Sequence, residues 1–259
     1  KFIIFDAYAT DANQPIVWTG ATNVTDGQIN VDPNNVIVIQ DKSLAIAYTL
    51  EFDEMFGSTG ASPNNTLATF GPDKLDNTPH NFKINGIAVE LYFSPSDGTN
   101  DKIIEVIESA NTNMYIGTML ITRSDLAYAI DASIGTGVNT EILVNNFGNC
   151  GTTVLNVLQG TMGADFQEDK AFNVIFHHKY MIVDEGTTSD PILLTGSHNW
   201  SNAANNTNDE NTNPLASLVN FERTIEKIDV EQPIKVHLIN DNKMIRLDYK
   251  GEQIFGNLE

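Results

Sequence analysis

The 259 residues, 41% of them hydrophobic, can bury a sizeable core and make one or two domains. A net charge of −20 repels DNA, RNA and anionic membranes at long range, so a polyanion must be met by a local basic site. No apolar run reaches the ~18 residues of a membrane span, and the lone cysteine, Cys150, excludes an intramolecular disulfide and reads as a small core residue.

In chain order, KFIIFD at the start and NVIVIQ at 35–40 read as strands, with IVWTGATN between them. Asp41 is placed to cap a helix over 42–56 that Gly57 stops. Leu44, Tyr48, Phe52 and Met55 form its buried stripe. Residues 58–86, rich in Gly, Pro, Asn and Thr, read as a connector with one short strand. Strands follow at 88–93, 114–121, 140–145, 174–184 and 191–197. Helices fall at 101–109, at 124–132 (capped by Ser124 or Asp125) and at 152–159. This alternation predicts an α/β fold with a mixed sheet covered by helices on both faces. After Asn211, TNPLASLVNFERTIEKI fits a strand and closing helix poorly. Residues 236–249 read as two strands with a turn near 240–242, the start of a small β or sorting domain. His80 and His237 have no motif around them and read as structural, and the sequons at Asn23, Asn64, Asn199 and Asn205 read as products of composition. Loops rich in Asn, Thr, Gly and Asp suit a secreted bacterial protein.

The chemistry concentrates in 176–211. His177, Lys179 and Asp184 fall at H-x-K-x4-D, followed by Gly196, Ser197 and Asn199 as G-S-x-N, and then Glu210. On a strand His177 and Lys179 share a face, about 7 Å apart along the backbone, whereas Asp184 has the other parity and sits at the strand end, where a structural role is expected. If the next strand pairs with this one, imidazole, ammonium, hydroxyl and carboxamide converge on one volume. That combination makes a phosphate site, with charge from Lys179 and neutral donors from Ser197 and Asn199. A histidine on a strand is ordinarily structural, and the triplet gains weight only through G-S-x-N and Glu210. Zinc held by His177, His178, His198 and Asp184 is the weaker alternative, because adjacent histidines point to opposite faces of a strand.

The same grammar opens the chain. Lys1 and Asp6 precede Lys179 and Asp184 by 178 positions, while Gly20, Asn23 and Asn35 precede Gly196, Asn199 and Asn211 by 176. Repetition at so long a period points to a duplicated domain. Ala21 stands where the second copy has Ser197, so one hydroxyl is missing from the first. The partner of His177 would fall two positions before Lys1, and the chain therefore reads as a fragment cut within the first motif.

H-x-K-x4-D followed by G-S-x-N resembles the HKD signature of the phospholipase D superfamily, and the resemblance covers most of residues 1–211. It implies two lobes, each a mixed sheet flanked by helices, packed across a pseudo-twofold. Residues 1–57 would close the first lobe, 58–86 connect, 87–213 form the second, and 214–259 lie beyond it. It implies a phosphohistidine intermediate at the seam, with no metal or cofactor. The absent first histidine would be the nucleophile and His177 the general acid. Lys1, Lys179, Asn23, Asn199 and Ser197 would hold phosphate oxygens beside Gly20 and Gly196. Glu210 would orient an imidazole, and Asp6 and Asp184 would brace the loops. The expected substrate is a phosphodiester, phospholipid before nucleic acid, in a monomeric two-lobed full-length chain. A secreted metal-independent endonuclease and a non-catalytic extracellular module are the alternatives.

Overall fold

A computed structural model describes residues 1–170 and 173–216 and, beyond them, the backbone of three strands within 235–257. The chain opens with β1 (Phe2–Phe5), β2 (Ile16–Gly20) and β3 (Val36–Gln40), an antiparallel sheet with β1 at its edge. Helix α1 (Asp26–Asn30) sits between β2 and β3, with the Thr25 side chain accepting from Gln28 N. Helix α2 (Lys42–Phe56) begins where Asp41 Oδ1 accepts from Leu44 N at 2.8 Å, a cap worth about 1 kcal/mol. It ends at Gly57, whose left-handed φ of 70° brings it so near the Asn64 carbonyl that a Cβ would lie 2.2 Å from the oxygen. Its buried stripe is shorter than the sequence pattern suggests. Leu44 and Tyr48 are fully buried, but Phe52 is 43% exposed and stacks on Phe56 along the surface.

The rest builds one mixed sheet. Its strands are β4 (Asn81–Ile84), β5 (Ile87–Glu90), β6 (Tyr92–Ser94), β7 (Asn113–Thr118), β8 (Asn139–Val144), β9 (Phe166–Glu168), β10 (Lys179–Val183), β11 (Ile192–Gly196) and β12 (Glu210–Ala216). They run β4-β5-β12-β11-β10-β7-β8-β9, with β6 also on β12; β7, β8 and β9 are mutually parallel and the other pairs antiparallel. Helices α3 (Thr99–Glu108), α4 (Ser124–Gly135) and α5 (Thr152–Met162) connect the parallel part, and α6 (Asn202–Asn206) lies between β11 and β12.

Two apolar clusters hold the layers. In one, Ile103, Leu126 and Leu158 of α3, α4 and α5 pack on Met114, Ile142 and Met181 of the sheet. In the other, α2 and the small sheet (Leu44, Tyr48, Val17, Ile37) pack on Val89, Leu91, Phe93 and Leu215. Each such burial contributes ~2 kcal/mol, and together they seat the small sheet against the large one.

Four local expectations are corrected. Residues 174–178 are not strand: β10 starts at Lys179, so His177 reaches the site from an irregular segment whose backbone is held by His177 N donating to Pro33 O at 2.7 Å. Helix α4 has Arg123 at its cap position with no side-chain cap, because Asp125 bonds Arg123 and its own neighbour Leu126 N instead. Residues 88–93 are two strands broken at Leu91. The first five residues of the stretch after Asn211 that fitted poorly, 212–216, belong to strand β12, despite Pro214 among them. Proline contributes no N–H, and across the break the Glu90 carbonyl is met by Asn213 Nδ2 at 3.1 Å.

Toward the end, β13 (Lys235–Ile239) and β14 (Met244–Tyr249) pair antiparallel around 240–243, and β15 (Glu252–Asn257) adds a third strand to the two expected. The expectations for 217–234 and for the side chain of His237 lie outside the described residues.

Candidate functional site

Residues of the sequence repeat occupy matching local positions in the two sheets. Phe2 faces Thr19 in the first sheet as Tyr180 faces Thr195 in the second; Gly20 faces Val36 as Gly196 faces Thr212. Asp6 and Asp184 both turn left-handed, at φ 53° and 56°. Thr25 caps α1 as Ser201 caps α6. The two copies meet end to end through reciprocal hydrogen bonds: Thr19 Oγ1 donates to Asn211 Oδ1 at 2.8 Å, and Asn35 Nδ2 donates to Thr195 Oγ1 at 2.5 Å. The sequence alignment had flagged Asn35 and Asn211, but nothing in the spacing showed that each pairs with a threonine of the other copy.

At this junction the charged groups gather. Lys179, 1% exposed, donates through Nζ to the His177 carbonyl at 2.9 Å, and the same Nζ lies 3.2 Å from His177 Nε2. An ammonium can only donate, so Nε2 is the acceptor and the neutral ring carries its proton on Nδ1. Lys1 Nζ pairs with Glu210 Oε2 at 3.1 Å, and Ser197 Oγ donates to the same oxygen at 2.5 Å while accepting from Asn211 N at 3.1 Å. Burial, then Lys179 and Lys1, push the His177 imidazole down to about 4, so it is neutral near pH 7. Burial and the nearby Lys1 bring Lys179 down to about 7, with Glu210 opposing. Among the described residues Glu210 thus pairs with Lys1 alone and acts on Lys179 only at longer range, which leaves a locally cationic site in a strongly acidic protein.

The remaining candidates divide. Gly20 and Gly196 hold the hairpins together: a Cβ would lie 2.4 Å from the Asn35 carbonyl oxygen at the first and 2.1 Å from that of Asn211 at the second. At both positions the backbone packs too closely to admit a side chain. Asn23 and Asn199 are half-buried and accept from Thr25 N and Ser201 N through their carbonyls. Asn199 Oδ1 is buried without a partner. Glu210 does not orient His177; coming off β12 opposite Ser94, it is claimed by Ser197 and Lys1. Its counterpart in the first copy, Asn34, bonds Thr22 and the Gln28 and Asp32 carbonyls, so the Ser197–Glu210 pair is replaced by Ala21 and Asn34 there. This second asymmetry was legible as a sequence difference and was missed.

Asp184 and Asp6 share a conformation but not a role. Asp184, 1% exposed, accepts from Thr112 N at 2.7 Å and Asn111 N at 3.1 Å, supplied by the approach to β7. Asp6 is exposed, because β1 is a sheet edge and, among the described residues, no second strand flanks it to supply donors. Asp184→Asn should therefore lower the unfolding free energy by about 2 kcal/mol, and Asp6→Asn by no more than about 0.5 kcal/mol, in urea titrations. Asparagine tolerates the left-handed backbone at both positions, so the difference reports the carboxylate bonds.

The zinc alternative fails on position. Among the described residues, His177, His178, His198 and Asp184 do not form a ligand group. His178 Nδ1 faces Asn35 Oδ1 at 3.3 Å, and Asp184 is occupied by backbone donors.

Residues 103–229 match the family model described as "Cardiolipin synthase, PLD-like domain". Among solved structures, the chain is similar to Nuc, a phospholipase D family member from Salmonella typhimurium, at 26% identity over 50% of this chain and 83% of that one, with a TM-score of 0.43. It is similar to phosphatidylserine synthase of Haemophilus influenzae at 12% identity, covering 78% and 55% of the two chains, TM-score 0.49. Polyphosphate kinase of Porphyromonas gingivalis shares the fold at 10% identity, over 83% of this chain and 30% of that one, TM-score 0.51. No curated protein sequence matches the chain. No helix among the described residues is long and apolar enough to cross a membrane.

Proposed function

We propose that this chain, which belongs to the phospholipase D superfamily, cleaves phosphodiesters without a metal at the site built from His177, Lys179, Lys1 and Glu210. The observation that carries this reading is the His177–Lys179 pair: a neutral imidazole nitrogen held 3.2 Å from a buried ammonium, with a second ammonium nearby. An incoming phosphate anion would draw both lysines, freeing Nε2 toward phosphorus.

The resemblance assigns His177 the acid's part, but a ring that is neutral near pH 7 fits the nucleophile. Nε2 attacks phosphorus, the P–O bond to the leaving group breaks, and a phosphohistidine forms. Water then attacks phosphorus, the P–N bond breaks and the imidazole is restored. The proton that the alkoxide leaving group takes up is matched by the one the attacking water gives up, so the cycle balances through solvent. Asn199, half-buried in the G-S-x-N turn, orients the phosphate through its amide donors.

The charge states give a pH profile. Protonation of His177 removes the nucleophile as pH falls through about 4, and loss of the Lys179 proton weakens phosphate binding as pH rises through about 7. The plot of kcat/KM against pH should peak between these values. Lys179→Arg should carry the alkaline limb upward, since guanidinium stays charged.

Phospholipid is the favoured substrate, on a specific observation. Val24, Ile29, Val31 and Ile175 are exposed apolar residues around the segment that anchors His177, where Ile175 N donates to Asp32 Oδ1 at 3.1 Å and His177 N to Pro33 O. An apolar rim on a protein of charge −20 suits acyl chains of a neutral lipid better than a nucleic-acid backbone. The test is turnover in EDTA on phosphatidylcholine vesicles, single-stranded DNA and bis-p-nitrophenyl phosphate, whose leaving group needs no proton. Turnover of the reporter and the vesicles supports the reading. Preference for DNA overturns the phospholipid assignment in favour of the nuclease, and no turnover even of the reporter overturns the catalytic reading.

A further inference from the structure

Away from this site, a second cluster lies where the connector meets the segment between β6 and α3. A ring nitrogen of His80, a carboxylate oxygen of Asp76 and one of Asp97 all lie within 4.8 Å of one another. Asp76 Oδ1 is 3.0 Å from His80 Nε2, close to the roughly 3.3 Å that separates ligand atoms around a tetrahedral zinc ion. We propose that Asp76, His80 and Asp97 form a divalent-cation site, best matched by Zn2+, that staples the connector to the large sheet.

The histidine itself points to a cation. His80 Nδ1 lies 2.8 Å from the Leu91 carbonyl oxygen, which can only accept, so Nδ1 carries a proton. Nε2 in turn faces the Asp76 carboxylate, another pure acceptor. A neutral imidazole has a single N–H and cannot serve both, so Nε2 takes either a second proton or a metal ion. A histidine that donates Nδ1–H to a backbone carbonyl while its Nε2 lone pair meets carboxylates has the orientation that metal-ligating histidines adopt. The ring is fixed as well by stacking on Tyr92, 4.6 Å between centroids and 10° between planes.

The carboxylates are placed for the same purpose. Asp97 is buried, and its Oδ2 accepts from Phe93 N at 2.8 Å while Oδ1 accepts from Ser96 Oγ at 2.5 Å, bonds that lock its orientation and leave lone pairs for an ion. Asp76 is the exposed member and leaves the remaining coordination open to water. One imidazole with two carboxylates selects a borderline ion such as Zn2+ over Mg2+ or Ca2+, which want oxygen alone. None of the three residues belongs to the catalytic pocket. The connection to it is mechanical: Ser94, three residues before Asp97, pairs across β6 and β12 with Glu210.

The experiment takes protein dialysed against EDTA and titrates it with Zn2+, read by calorimetry and by thermal unfolding. One ion per chain should bind, and at a hundredfold excess over Kd the Tm should rise by roughly 5–10 °C. Asp76→Asn, at an exposed position that folding tolerates, should weaken Zn2+ binding at least tenfold. His80→Gln should abolish it, and His177→Ala should bind Zn2+ as the wild type does. Absence of saturable binding, or unchanged binding in both Asp76→Asn and His80→Gln, overturns the site and leaves His80 as an imidazolium clip.

Discussion

Replacing His177 with asparagine should cut turnover of bis-p-nitrophenyl phosphate by at least about a thousandfold while leaving the protein folded. Asparagine keeps a polar side chain of similar reach and can still meet the Lys179 ammonium through its carbonyl oxygen, so the buried cation keeps an acceptor. What it lacks is a nitrogen lone pair able to bond phosphorus. Because His177 is 8% exposed and its backbone is tied to Pro33, the substitution should shift the urea midpoint little. Activity in the variant within tenfold of wild type would mean that the chemistry uses another group.

The largest effect on stability should come from Lys74→Met. The Lys74 side chain is fully buried; its Nζ pairs with Glu51 of α2, donates to the Ser94 carbonyl at 2.9 Å and lies 3.3 Å from Asp209. It also sits 6.0 Å from the centre of the Phe93 ring. One cation thus ties the connector to α2, to β6 and to the residue before Glu210. Burial already pushes the Glu51 carboxyl upward, with Lys74 opposing. Removing the ammonium strands a charge in the interior, at a cost of about 3–5 kcal/mol. The double variant Lys74→Met with Glu51→Leu should recover at least half of the loss in urea unfolding, since an apolar pair needs no counter-charge. If the double variant is as unstable as the single, packing rather than charge explains the cost.

How far the sequence reaches into this structure depends on the range of the interaction. Asp41 and Gly57 mark both ends of α2 because capping is decided within four residues. The β-α alternation and the pairing of the motif strands follow from periodicity and short connections. The strand at Glu210–Ala216 is hidden by Pro214, which local rules exclude from an inner strand. The break at Leu91 that admits it lies on another part of the chain, and the Glu90 carbonyl there is what the Asn213 side chain, next to Pro214, reaches. Strand β9, three residues long, leaves too little pattern to read. At the site, spacing identified His177, Lys179, Ser197 and Glu210, but not which of them touch. The Ser197–Glu210–Lys1 arrangement, the reciprocal Thr19–Asn211 and Asn35–Thr195 bonds and the His80 cluster all join residues that only the fold brings together. His80 read as structural because its partners are a loop aspartate four residues back and another seventeen residues on.

The most direct measurement is to mix the protein with bis-p-nitrophenyl phosphate in EDTA, stop the reaction in alkali within one turnover, and map the labelled peptide by mass spectrometry. The account predicts a phosphoryl adduct, stable to alkali and labile to acid, on His177. Turnover with the adduct on another residue, or with none in any peptide while His177→Asn remains active, would contradict it.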